Sequence, residues 1–197
     1  MTSPRTAFLT APVLMGAYGV LRIIDGLDGS RGPGAAWTVG HLCFLGSLVF
    51  FVRGFGAMRA WAGHNLLSTV GLWTGIAGAV ALTVQFLIDL TVGFLSADHG
   101  AMQELFTRIQ AIPGVLPLVY DFGPPLFFVG QLILVAQLAV RRILKPWAPV
   151  LVLVSTTLPF ATKDLIPLGA ALLLLSFAPL YRRRAVPHQP TSKTLAA

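Results

Sequence analysis

Long apolar stretches alternate with short polar ones along nearly the whole chain. The apolar runs cover residues 7–24, 35–52, 66–94, 115–140, 147–162 and 165–181. About 20 apolar residues suffice to cross the hydrocarbon of a bilayer as a helix, so the pattern predicts an all-α integral membrane protein with six transmembrane helices. Residues 147–181 are too long for one span and are interrupted by Pro159, Lys163, Asp164 and Pro167. Two short helices with a tight turn at "ATKD" fit this stretch better. The first run follows Arg5, as in a signal peptide, but continues into "LRIIDG" with no small-residue cleavage site, so it reads as a retained first span.

One polar connector has a period of its own. Met102, Leu105, Phe106, Ile109 and Ile112 recur at helical spacing, with Gln103, Glu104, Thr107 and Arg108 opposite. This predicts an amphipathic helix over about 99–112 at the membrane surface, stopped at Pro113. Such a helix either covers the mouth of a cavity or simply connects two spans. "GLWTGIAG" at 71–78 comes near a small-residue packing stripe and suits close helix contact.

Composition agrees with the pattern. The 197 residues are 55% hydrophobic and 11% charged, against about 25% charged in soluble domains, and the mean hydropathy is +0.78. Length allows one membrane domain, 1–184, with a polar tail at 185–197 expected to be disordered and cytoplasmic. Arginine makes up most of the basic residues, which fits a GC-rich bacterial genome.

Charge placement sets an orientation. With the N-terminus cytoplasmic, six spans put Arg5, Arg53, Arg59, Arg141, Arg142, Lys145, Arg182, Arg183, Arg184 and Lys193 inside, and leave Arg22, Arg31, Arg108 and Lys163 outside. That is a strong positive-inside pattern for a multi-pass protein of the cytoplasmic membrane, with both termini inside. Five spans would send Arg182–Arg184 outward. All seven acidic residues then fall in the outer half. The sequence pI near 10.5 is therefore a property of the cytoplasmic face, suited to anionic lipid head groups and not to nucleic acid.

The polar residues within the spans are the main functional signal. At about 1.5 Å per residue, His41 lies roughly 18 Å above Arg53, and Asp121 about 30 Å above Arg141. Arg22, Asp25, His41, Asp89, Asp121, Lys163 and Asp164, with Gln85 a turn below Asp89, thus share one layer near the outer interface. Ionisable groups inside a membrane are costly and normally face the bundle interior in pairs. Asp121, Asp89 and His41 are the candidates for acid/base chemistry. Arg22, Asp25, Gln85, Tyr120, Phe122, Lys163 and Asp164 are the candidates for substrate binding, with the aromatics beside Asp121 able to face a cation. Each also has a plainer role. Asp121 before Pro124 suits a helix start, Arg22 and Asp25 can pair along one helix face, Lys163 and Asp164 can be an exposed turn, and His41 a hydrogen-bonded core histidine.

Known motifs add little. "DGLDG" at 25–29 resembles the opening of the CDP-alcohol phosphotransferase signature, but the later Asp-x-x-x-Asp half is missing. His41 and Cys43 are two apart and point away from each other on a helix. Cys43 is the single cysteine, so no internal disulfide forms. His41 and His64 belong to opposite membrane faces and do not make a haem pair. No metal or other cofactor is expected.

Three function classes follow. The first is a membrane-embedded enzyme acting by acid/base chemistry on a lipophilic substrate, a lipid or a terpenoid. The second is a non-catalytic membrane partner, sensor or immunity protein. The third is a small proton-coupled transporter, which the nearly apolar cytoplasmic halves of the spans disfavour.

Overall fold

The computed structural model describes residues 4–182. The tail at 185–197, expected to be disordered, lies outside the described residues, as do Arg183, Arg184 and Lys193. Among the described residues the chain is 84% helical with no strands. The helices are α1 (Pro4–Asp25), α2 (Ala35–Trp61), α3 (Leu66–Leu95), α4 (His99–Gln110), α5 (Gly123–Val140), α6 (Ala148–Ala161) and α7 (Ile166–Arg182). A π-helical turn at Leu116–Asp121 precedes α5, and a 3-10 turn at Lys163–Leu165 precedes α7.

Five helical stretches are long and apolar enough to cross a membrane: Pro4–Asp25, Ala35–Trp61, Leu66–Leu95, Leu116–Val140 and Lys163–Arg182. This is the pattern of an integral membrane protein. The remaining apolar helix, α6, has 14 residues, about 21 Å at helical rise. It is the antiparallel partner of α7. Ser155 Oγ donates to the Gly169 carbonyl at 2.9 Å, and Ser176 Oγ donates to the Ala148 carbonyl at 3.2 Å. These bonds lock the hairpin in register from its turn to its open end.

The apolar helices close into a ring. α1 packs on α2 and α7, α3 on α2 and α5, and α6 on α5 and α7. Aromatic side chains fill the middle, with Phe44 stacked on Phe86 at 4.0 Å and Phe51 edge-on to Phe127 at 5.2 Å between ring centroids. Large apolar side chains such as Val49, Trp73, Val80, Leu87 and Val129 are exposed on the outside, as expected where lipid replaces water.

Two boundaries differ from the sequence pattern. α2 runs on to Trp61, well past residue 52, because Phe51, Phe55 and Met58 continue one buried stripe into the core. Arg53 is therefore an exposed side chain partway along the helix, and does not mark the end from which the depth of His41 is counted. The run at 115–140 also divides. Pro124 and Pro125 have no N–H to continue the helical ladder, and the Phe122 N–H reaches back to the Pro117 carbonyl at 2.9 Å, closing a wider turn. Elsewhere local signals hold. Asn65 Oδ1 caps α3 by accepting from Ser68 N at 2.8 Å. Gly63 takes the left-handed conformation, φ 85°, that turns the chain from α2 into α3.

α3 and α5 meet backbone to backbone. A Cβ placed on Gly78 would fall on the Phe127 backbone nitrogen, one on Gly130 on the Gly75 nitrogen, and one on Gly123 on the Ala81 side chain. Small residues at a membrane helix interface allow this approach, and dispersion contacts then hold the pair. Gly56 has open space around it. Gly130→Val is expected to destabilise the fold by about 1–3 kcal/mol or more through overpacking, whereas Gly56→Ala stabilises it by up to about 1 kcal/mol through helix propensity. Unfolding curves in mixed micelles measure both, and equal behaviour of the two variants would refute the close contact.

Candidate functional site

The ends of α1 and α3, the starts of α2 and α5, and the turn between α6 and α7 converge at one end of the bundle. Antiparallel neighbours joined by short loops must bring these termini together, and α4 packs there against α3. Below α4 lies a polar cup of about 300 Å³. Its walls are Tyr18 and Arg22 from α1, Trp37 and His41 from α2, Gln85 and Asp89 from α3, Tyr120 from the π turn, and Lys163. Gln103, Phe106, Thr107 and Gln110 of α4 cover it. α4 buries Met102 and half-buries Leu105, Phe106 and Ile109, while Glu104 and Arg108 pair at 2.6 Å on its exposed side. The amphipathic helix read from the sequence thus roofs a cavity.

At the centre His41 faces Asp89. Both are buried, at 3% and 9% exposure. His41 Nδ1 lies 2.7 Å from the Trp37 carbonyl oxygen. A carbonyl only accepts, so Nδ1 carries the proton. Nε2 is turned to Asp89 Oδ2 at 3.6 Å, a distance for charge interaction and too long for a direct hydrogen bond. The other carboxylate oxygen, Oδ1, accepts from the Tyr120 hydroxyl at 3.2 Å. Trp37 Nε1 donates to the Asp89 backbone carbonyl at 3.2 Å. The Trp37 indole lies 4.1 Å from the imidazole, centroid to centroid. Orientation of both groups is fixed by these neighbours, with one imidazole nitrogen free to exchange a proton.

A second cluster closes the rim. Arg31, in the loop between α1 and α2, places Nη2 2.9 and 3.1 Å from the two oxygens of Asp164. Arg22 Nε stands 3.8 Å from the same carboxylate. His99 Nδ1 donates to the Arg31 carbonyl at 2.7 Å, which ties the start of α4 to this loop. Asp98 caps α4 by accepting from Ala101 N at 2.9 Å. Buried polar atoms without a hydrogen-bond partner include Arg22 Nε and Gln85 Oε1, both from residues of the cup.

Below the cup the lining turns apolar. A groove of about 360 Å³ is lined chiefly by aromatic and proline residues, among them Phe44, Phe86, Phe127, Phe128, Pro159 and Phe160. Tyr18, Gln85, Tyr120 and Lys163 line both spaces, so the cup and the groove adjoin. Phe160 is 74% exposed, which carries the groove to the outside of the bundle.

Of the residues singled out by depth, His41, Asp89, Gln85, Arg22 and Lys163 come together in the cup, with Asp164 on its rim, and the candidate aromatic Tyr120 joins them. Asp25 lies beside it, lining the neighbouring loop cavity with Asp28 and Asp98. Asp121 and Phe122 are exposed and are not among the residues that line the cup or the groove. Tyr18, Trp37 and Arg31 are the additions. Trp37 precedes His41 by four residues, a spacing that places both on one helix face, while Arg31 carries no sequence signal for its pairing with Asp164. Among the described residues no group of three or more His, Cys, Asp or Glu side chains could hold a metal ion. Comparison with known protein families, curated proteins and solved structures finds no match to the chain.

Asp164→Asn removes the charge that Arg31 and Arg22 share. Amide exchange across residues 26–34 is expected to rise about tenfold, with the α3–α5 contact unchanged. Unaltered exchange in that loop would show that the ion pair does not hold it.

Proposed function

We propose that this protein is a membrane-embedded enzyme that uses His41 and Asp89 for acid/base chemistry on the polar end of a lipophilic molecule. One observation carries the reading: a buried imidazole with a free nitrogen faces a buried carboxylate in a cup that adjoins an apolar groove. In this reading His41 Nε2 accepts a proton from the bound polar group, or from the nucleophile that attacks it. The imidazolium so formed is paired by Asp89, whose other oxygen is held by Tyr120. Return of the proton to the leaving atom restores the neutral imidazole. Arg22 and Lys163 supply positive charge at the rim. Asp121 takes no chemical step here, and its carboxylate before α5 suits the positive end of that helix.

The same reading has six crossings with both termini cytoplasmic, in a cytoplasmic membrane. It is supported by the α6–α7 register and by the gathering of Arg59, Arg141, Arg142, Lys145 and Arg182 at the end opposite the cup. The cup then opens toward the outer leaflet. In a Cys43→Ala background, Gln103→Cys is expected to react with a membrane-impermeant maleimide on intact cells and Lys145→Cys only after lysis. Reversed labelling would invert the topology.

The chemistry is tested by reconstituting the protein into vesicles of a total lipid extract in D2O and recording every lipid class by mass spectrometry. The wild type is expected to convert or deuterate one class. His41→Ala and Asp89→Asn, inserted at normal levels, lose at least about a hundredfold in rate, in line with the contribution of a positioned acid or base. Full activity in both variants, or no change in any class with wild type, would refute an acid/base enzyme. A lipid retained without conversion would favour the non-catalytic partner.

A further inference from the structure

We infer that the molecule this site takes is an amphiphile with an anionic head group, a phosphate or a carboxylate, held by Lys163 and Arg22 at the seam of cup and groove. This rests on the reading of the site given above and names its substrate class. The argument is a balance of charges. Asp164 is already engaged by Arg31 through both oxygens. Arg22 stands 3.8 Å from that carboxylate, and its buried Nε has no hydrogen-bond partner. Lys163 lines the cup and the groove together. Among the residues lining the cup, Asp89 is the one carboxylate, against the two cations Arg22 and Lys163. The cup therefore carries net positive charge with His41 neutral, and more with His41 protonated. Cations aimed into a partly desolvated pocket favour an anion.

The apolar groove supplies the other half. It begins at Lys163 and Gln85 and continues between Phe86, Phe127 and Phe160. A free anion would leave this surface empty, and a neutral alkyl chain would leave the excess positive charge of the cup unmatched. Joining the two in one molecule satisfies both. The exposed Phe160 marks where a chain enters sideways from the bilayer, so the head group need not cross the hydrocarbon.

The test uses the full-length protein in dodecyl maltoside micelles and native mass spectrometry, with dodecyl phosphate as probe. Dodecanol and inorganic phosphate each present one half of it. Dodecyl phosphate is expected to bind at least tenfold more tightly than either. Lys163→Gln and Arg22→Gln lower its affinity about tenfold, Lys163→Arg restores it, and Arg108→Gln on the exposed side of α4 leaves it unchanged. Leu82→Trp, which fills the groove, weakens dodecyl phosphate and not inorganic phosphate. Equal binding of dodecanol would show that charge is not read, and equal binding of inorganic phosphate that the groove is not used. Either result overturns the inference, as does binding unaffected by both charge-removing variants. Conversion of a neutral lipid by the wild type with no preference for dodecyl phosphate would overturn this assignment alone. Tight dodecyl phosphate binding with no lipid converted would overturn the acid/base reading alone.

Discussion

Hydrocarbon offers no hydrogen bonds, so each polar group in this chain must find its partner within the protein or at the membrane surface. That constraint organises the bundle. Backbone groups are satisfied by helices. Serine hydroxyls within spans donate across to neighbouring carbonyls, as Ser47 does to Ala11 at 2.9 Å. The carboxylates of Asp89 and Asp164, with Arg22, Arg31, His41 and Lys163, gather at the end where α1, α3 and the α6–α7 turn meet the loops. Among the described residues the exceptions stand out by contrast: Gln131 is fully buried with neither side-chain polar atom bonded, and Gln85, Arg22 and Arg31 each keep one unpaired side-chain atom in or near the cup.

A rigid frame holds this arrangement. Glycines let α3 and α5 touch backbone to backbone, and α3 brings Asp89 and Gln85 while the turn before α5 brings Tyr120. The separation of the Tyr120 hydroxyl from Asp89 thus depends directly on that contact. α2 contributes His41 from the opposite wall, held by its own Trp37 carbonyl. The His41–Asp89 gap is set by helix packing and not by a flexible loop.

The loops are fastened to the frame by charge. Arg31 and Asp164 join the α1–α2 loop to the α6–α7 turn, and His99 carries the connection to α4. The roof over the cup is therefore linked to the rim that holds Arg22 and Lys163. The ring of helices leaves the polar cup at one end of the bundle and the apolar groove adjoining it, two surroundings of opposite character side by side.

The apolar runs alone decide that this is a helical membrane protein, because burying a backbone in lipid allows little else. Periodicity likewise predicts α4 as an amphipathic helix, although Gln103 and Thr107, read on its opposite face, line the cup. The cost of ionisable groups at depth groups Arg22, Asp25, His41, Asp89, Asp121, Lys163 and Asp164 with Gln85, of which Asp25 and Asp121 do not line the cup. Three features depend on packing. The extension of α2 follows from Phe55 and Met58 finding a core to enter, which a hydropathy window cannot register. That Tyr120 and not its neighbour Asp121 lines the cup follows from how the turn before α5 is seated against α3. The pairing of Arg31 with Asp164 joins residues 133 positions apart, and only the closure of the ring brings them within reach, since charge along the chain says how many ions must be matched and not which ones meet.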